Sequence, residues 1–114
     1  VMQNSADAEL LARYAMSAWL LSDERPDLAG RVANITYWAL MSLKSSSDKK
    51  NISSGGLFDI SVVASTHQPF LAFDLMARFM TADQVSQCMA FFVSLGRNAY
   101  TLYTRYLTHR AQPD

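Results

Sequence analysis

Leu28–Leu43 reads LAGRVANITYWALMSL, and whether this stretch bends decides the fold. Ala29 is small enough for a close helix–helix approach. Asn34, five residues on, tolerates a positive φ. Ile35 follows as an apolar plug, and Thr36 offers a capping hydroxyl. The order predicts a helix-turn-helix-like segment. A short helix runs from about Asp27 to Ala33, Asn34 ends it tightly, and Thr36 opens a second helix to about Lys44. Leu40 and Leu43 then pack inward. Thr36, Tyr37, Trp38, Met41, Ser42 and Lys44 form the candidate DNA-binding set, on a helix suited to a major groove. A plain helical corner is the competing reading. Base edges are mostly read by Arg, Lys, Asn and Gln, whereas Tyr37, Trp38 and Met41 have the character of protein-contact residues.

Upstream, Ser5–Leu21 predicts a helix whose stripe is Leu10, Leu11, Tyr14, Ala15, Ala18 and Leu21. Ser22–Arg25 stops it, and Pro26 suits the first turn of the next helix, with Asp27 complementing the helix dipole. Downstream, residues 45–56 (SSSDKKNISSGG) predict a flexible polar loop. Leu57–Thr66 is ambiguous: its β-branched run suits a short strand, but an isolated strand has nothing to pair with, which favours a short helix or an extended segment packed on the bundle. Pro69 marks the first turn of a helix over Gln68–Met80, and Thr81-x-x-Gln84 is a capping box that starts the last helix.

That last helix, to about Thr108, carries a heptad-like seam: Val85, Cys88, Phe92, Leu95, Ala99, Leu102 and Tyr106. Met89, Phe91, Val93, Tyr100 and Tyr103 add apolar flanks beyond what one-sided packing needs. Two readings stay open: a central helix surrounded by its own chain, or one that also supplies an oligomer interface. Val85, Met89, Phe92, Leu95, Tyr103 and Tyr106 are the candidate partner-interface residues.

The 114 residues fit a single domain, 1–114, and half of them are hydrophobic, enough for one core. Only 18% are charged, which leaves a thin solvated surface and points either to a protein partner or to a monomer with a Ser/Thr-rich surface. Net charge is zero, which counts against free-standing nucleic-acid binding. The single cysteine, Cys88, excludes an internal disulfide and reads as a buried thiol. Neither His67 nor His109 has a carboxylate or cysteine at ligand spacing, so no metal or cofactor is expected. Nucleophile, paired-carboxylate and phosphate-loop patterns are missing as well, so the chain reads as a non-enzyme without a small-molecule substrate. No apolar run reaches the ~18 residues of a membrane span and no signal peptide opens the sequence, which makes cytoplasmic the expected location.

Several features in order resemble the N-terminal helical region of the C subunit of the flagellar master transcriptional activator and its relatives on conjugative elements. Ala15-Met16 lies in a first apolar helix, followed by Arg25. Ile35-Thr36 opens a helix carrying Leu40 and Leu43, and a polar loop leads to Gly55 and Leu57. Ala99-Tyr100-Thr101-Leu102-Tyr103 is similar to the family's Ala-Tyr-Arg-Leu-Tyr segment. The family's proline-rich loop is here Asn51-Ile52-Ser53-Ser54. Its four-cysteine zinc region has no counterpart among these residues, so the resemblance implies no zinc site. It implies a subunit of a hetero-oligomeric activator that binds promoter DNA beside a small helical partner.

The sequence thus predicts an all-α bundle of about five helices with a helix-turn-helix-like segment and a long C-terminal helix. Its leading function is a transcription-regulator subunit that binds DNA with a protein partner. The alternative is a helical interaction or assembly subunit, homo- or hetero-oligomeric, with no nucleic-acid role.

Overall fold

A helix runs unbroken from Pro26 to Ser53 in the computed structural model, so the turn expected at Asn34 is not there. The structure describes residues 5–53 and 67–111, with side chains over 7–45 and 67–97 and at five further positions of the last helix. The elements are α1 (Ser5–Leu20), α2 (Pro26–Ser53), α3 (His67–Met76), a 3-10 turn (Ala77–Phe79) and α4 (Ala82–Ala111). The described residues therefore form an all-α protein of four helices and one 3-10 turn, with no strand among them. The ambiguous stretch Leu57–Thr66 lies outside the described residues.

The helix continues through Asn34 because nothing there forces a stop. Asn only permits a left-handed residue, and no Gly or Pro follows it before Gly55 to exploit the option. The hydroxyl expected to cap a new helix is used differently. Thr36 Oγ1 donates to the Val32 carbonyl at 2.8 Å, one turn back. Residues 45–53 are likewise helical where a loop was expected. Extending a formed helix adds a hydrogen bond per residue fixed, and the first glycine after Gly30 is Gly55.

Local signals set the other boundaries. Ser22 Oγ donates to the Trp19 carbonyl at 2.9 Å, and Arg25 N–H donates to the Leu21 carbonyl at 2.7 Å, closing α1. Pro26 restarts the chain as a helix. Arg25 donates twice to Asp27 at 3.1 Å, and these bonds hold the Asp27 carboxyl below its ordinary range. The capping box forms as expected. Gln84 N–H donates to Thr81 Oγ1, and Thr81 N–H to Gln84 Oε1, both at 3.1 Å.

Two clusters make the core, and α2 belongs to both. The first joins Leu11, Ala15 and Ala18 of α1 to Val32, Ala33 and Ala39 of α2 and to Ala72 and Met76 of α3. It is rich in alanine, and that lets the α1 and α3 backbones approach closely. The large side chains expected in the α1 core stripe, Leu10, Tyr14 and Leu21, are instead exposed. The second cluster joins Tyr37, Leu40 and Leu43 of α2 to Cys88, Phe91 and Leu95 of α4. Phe92 sits in the notch between α3 and α4, edge-on to Phe70 at 4.6 Å and to Phe73 at 4.9 Å.

Burial pushes the Cys88 thiol up from 9.0 to about 11. A raised acid keeps its proton more tightly when folded. Its contribution is intact below the unfolded pKa and is lost as pH rises towards the folded one. Between pH 9 and 11 wild type should lose about 2 kcal/mol relative to Cys88→Ala. Urea titrations of both proteins across that window read the difference, and a constant gap between them would contradict it.

Candidate functional site

Among the described residues, one side of the α2 helix has no core behind it. Its buried residues are Ala29, Val32, Ala33, Thr36, Tyr37, Ala39, Leu40 and Leu43, which span one broad face. Opposite them stand Arg31, Asn34, Ile35, Trp38 and Ser45. Ile35 is 57% and Trp38 61% exposed, and three residues separate them, so they share a helix face. Met41 and Ser42 are half-buried at its margins. Ile35, expected as an inward plug, is therefore a surface residue.

The Trp38 ring is braced. Tyr37 meets it edge-on at 5.1 Å between centroids. The Tyr37 hydroxyl donates to Gln87 Oε1 at 2.8 Å, and Gln87 Nε2 donates to Asp83 Oδ2 at 2.8 Å. Beside this chain, Gln84 Nε2 donates to Asn34 Oδ1 at 3.2 Å. Two amides of α4 thus tie down the edge of the α2 face. A large aromatic held in place by its neighbours loses little freedom when it is covered.

The six candidate DNA-binding residues do not share one face. Thr36 is fully buried and Tyr37 nearly so, which withdraws both from any groove. Trp38 points outward, with Met41 and Ser42 beside it. Lys44 is exposed but emerges about 120° around the helix from Trp38. The cause is the helical period. A turn at Asn34 would have reset the phase, and without it Thr36 and Tyr37 continue the buried face of Val32 and Ala33.

The six candidate interface residues of α4 also divide. Leu95 is buried against α2, and Phe92 and Val85 are half-buried. Met89 faces outward. The side chains of Tyr103 and Tyr106 lie outside the described residues. The first half of the expected seam is therefore spent on the chain's own core. Exposed apolar side chains lie instead along Met89, Val93, Tyr100 and Leu107.

Sequence reasoning missed Ile35, Asn34, Gln84 and Gln87 as parts of this surface. Ile35 and Trp38 were readable as an i, i+3 pair once the helix is continuous. The two amide contacts cross 50 positions of sequence and leave no local signal.

Among the described residues no group of three or more His, Cys, Asp or Glu could hold a metal ion. No helix among them is long and apolar enough to cross a membrane. No protein-family model, no curated protein and no solved structure matches this chain.

Proposed function

We propose that this chain is a helical protein-interaction subunit, neither an enzyme nor a DNA reader by itself, whose Ile35–Trp38 face is covered by another protein in its working assembly. The observation that carries this reading is the exposed, braced tryptophan opposite the core of α2. Tryptophan and tyrosine dominate the energetic centres of protein interfaces. The low charge content and zero net charge agree with burial against protein rather than with neutralising phosphates. From the resemblance to the flagellar activator subunit, this reading keeps the hetero-oligomeric part. The DNA-binding part needs a turn at Asn34 that a continuous helix lacks.

The test is native mass spectrometry of the complex purified from the chain's own host, for wild type and for Trp38→Glu with Ile35→Lys. Wild type should carry a stoichiometric protein companion, and the double variant should lose it while keeping its helical circular dichroism. In parallel, wild type should not shift a 30-base-pair duplex at low salt. Isolation of wild type without any companion protein would overturn the reading, and so would a duplex shift that weakens steeply with salt.

A further inference from the structure

The outer side of α4 carries a second seam, distinct from the one that packs on α2. Met89, Val93, Gly96, Tyr100 and Leu107 follow one another at spacings of four, three, four and seven, the repeat of a helix that lies along another helix. Met89, Val93 and Leu107 are each about half exposed, and Tyr100 is 73% exposed. The buried residues described on α4, Cys88, Phe91 and Leu95, lie on a different side. Beyond Leu95 the helix runs on for sixteen residues to Ala111, about 24 Å. The molecule measures 63 × 27 × 22 Å, and its radius of gyration of 16.3 Å exceeds the ~13 Å of a compact chain near this length.

We propose that this seam pairs with the same seam of a second copy of the chain, antiparallel, about a twofold axis near Asn98. The order of side-chain sizes along the seam argues for that occupant and that direction. Reversal about position 98 sets Met89 opposite Leu107 of the second copy. It also sets Gly96 opposite Tyr100, twice. The most exposed aromatic of the helix thus meets a glycine at which an added Cβ would touch nothing within 4 Å. A parallel pair would instead face glycine with glycine and tyrosine with tyrosine, leaving a hole beside a crowded layer. A depression of about 370 Å³ lined by Met89, Ala90, Val93, Ser94 and Arg97 lies where the Leu107 turn of the second copy comes down. The self-complementary surface is what a twofold dimer requires.

The size of the seam sets the strength. Covering it on both copies removes on the order of 1,000 Å² from water, the low end for a specific interface. The dimer is therefore weak and concentration-dependent. The two Arg97 side chains share one edge of the antiparallel pair, so added salt tightens it.

This inference rests on reading the chain as an assembly subunit but uses a different face from Trp38. The test is sedimentation equilibrium from 1 µM to 1 mM on wild type, Tyr100→Glu, Gly96→Leu and Trp38→Glu. Wild type should pass from 12.7 kDa towards twice that mass as concentration rises. Tyr100→Glu should stay monomeric throughout. Gly96→Leu should weaken association at least tenfold with helicity retained, and Trp38→Glu should associate like wild type. Direction is read by spin labels on Ala82→Cys, exposed at the start of α4 and outside the seam, Cys88 being buried. Antiparallel copies should hold the two labels more than 20 Å apart, and parallel ones about 10 Å. A wild type monomeric to 1 mM overturns the proposal and leaves the Trp38 reading standing. It is equally overturned by a dimer indifferent to both Gly96→Leu and Tyr100→Glu, or by the short label distance.

Discussion

Leu40→Ala should destabilise the protein by about 3 kcal/mol and lower its melting temperature by roughly 10–20 °C. Among the described residues Leu40 is the largest side chain with no exposed surface, and it sits in the cluster that joins α2 to α4. Cutting it to alanine removes buried methyl groups and leaves a void among Tyr37, Leu43, Cys88, Phe91 and Leu95. A rigid pair of helices closes such a void only in part. The loss should also be uneven. The cluster of α1, α2 and α3 contains neither Leu40 nor any α4 residue among its buried members, so it keeps its packing. Hydrogen exchange should show amides over 88–97 losing protection first, while those over 12–18 keep theirs. A cost under 1 kcal/mol, or protection lost evenly across α1 and α4, would mean that the two clusters are not separate.

The parts of the fold that were legible in the sequence are those fixed by contacts a few residues apart. Pro26 and Pro69 sit in first turns, and Thr81 and Gln84 cap each other across three residues. Each of these interactions is complete within one turn of chain, so composition at that spot suffices to read it. Asn34 shows the opposite case. A residue that tolerates a turn does not impose one, and the energy that decides between turn and helix lies in the packing of Val32, Ala33, Thr36 and Tyr37 against other helices.

Of the α1 stripe, Leu11, Ala15 and Ala18 are buried as expected, and its other members are exposed for a different reason. Reading by hydrophobicity favours large residues, so Leu10, Tyr14 and Leu21 looked like core. The structure buries Ala8, Ala12, Ala15 and Ala18 with Leu11, and their small size brings α3 within reach. Small residues at helical spacing carry little hydrophobic weight, yet they set how closely backbones approach. In α4 the excess of apolar positions was legible. The division of that excess was not, because it depends on where α2 lies. Cys88, Phe91 and Leu95 go inward, and Met89, Val93 and Tyr100 stay outside. The candidate site was legible to the same extent. Trp38 stood out by its chemistry, and Gln87, which holds the Tyr37 ring beside it, came from the other half of the chain.

Ile35→Pro separates the continuous helix from the helical corner most sharply and should destabilise the protein by about 3 kcal/mol or more. Within an unbroken α2, residue 35 donates its N–H to the carbonyl of Arg31. Proline removes that donor, and its ring collides with the same carbonyl. A corner with Thr36 as its cap would put residue 35 just outside the second helix, in extended backbone that proline accepts. The side chain itself contributes little to the comparison, because Ile35 faces solvent and Ile35→Ala should stay within about 0.5 kcal/mol of wild type. The position is also a severe place for a kink. Val32 and Ala33 lock the helix into the first cluster just before it, and Tyr37 and Leu40 lock it into the second just after. Bending between them must break one cluster or the other. Urea unfolding of the two variants, with helicity measured at 222 nm, reads the difference directly. If the proline variant unfolds within about 1 kcal/mol of the alanine variant, the helix is interrupted near Asn34. Thr36 and Tyr37 would then be free to turn outward, and the groove-binding surface would recover its geometry.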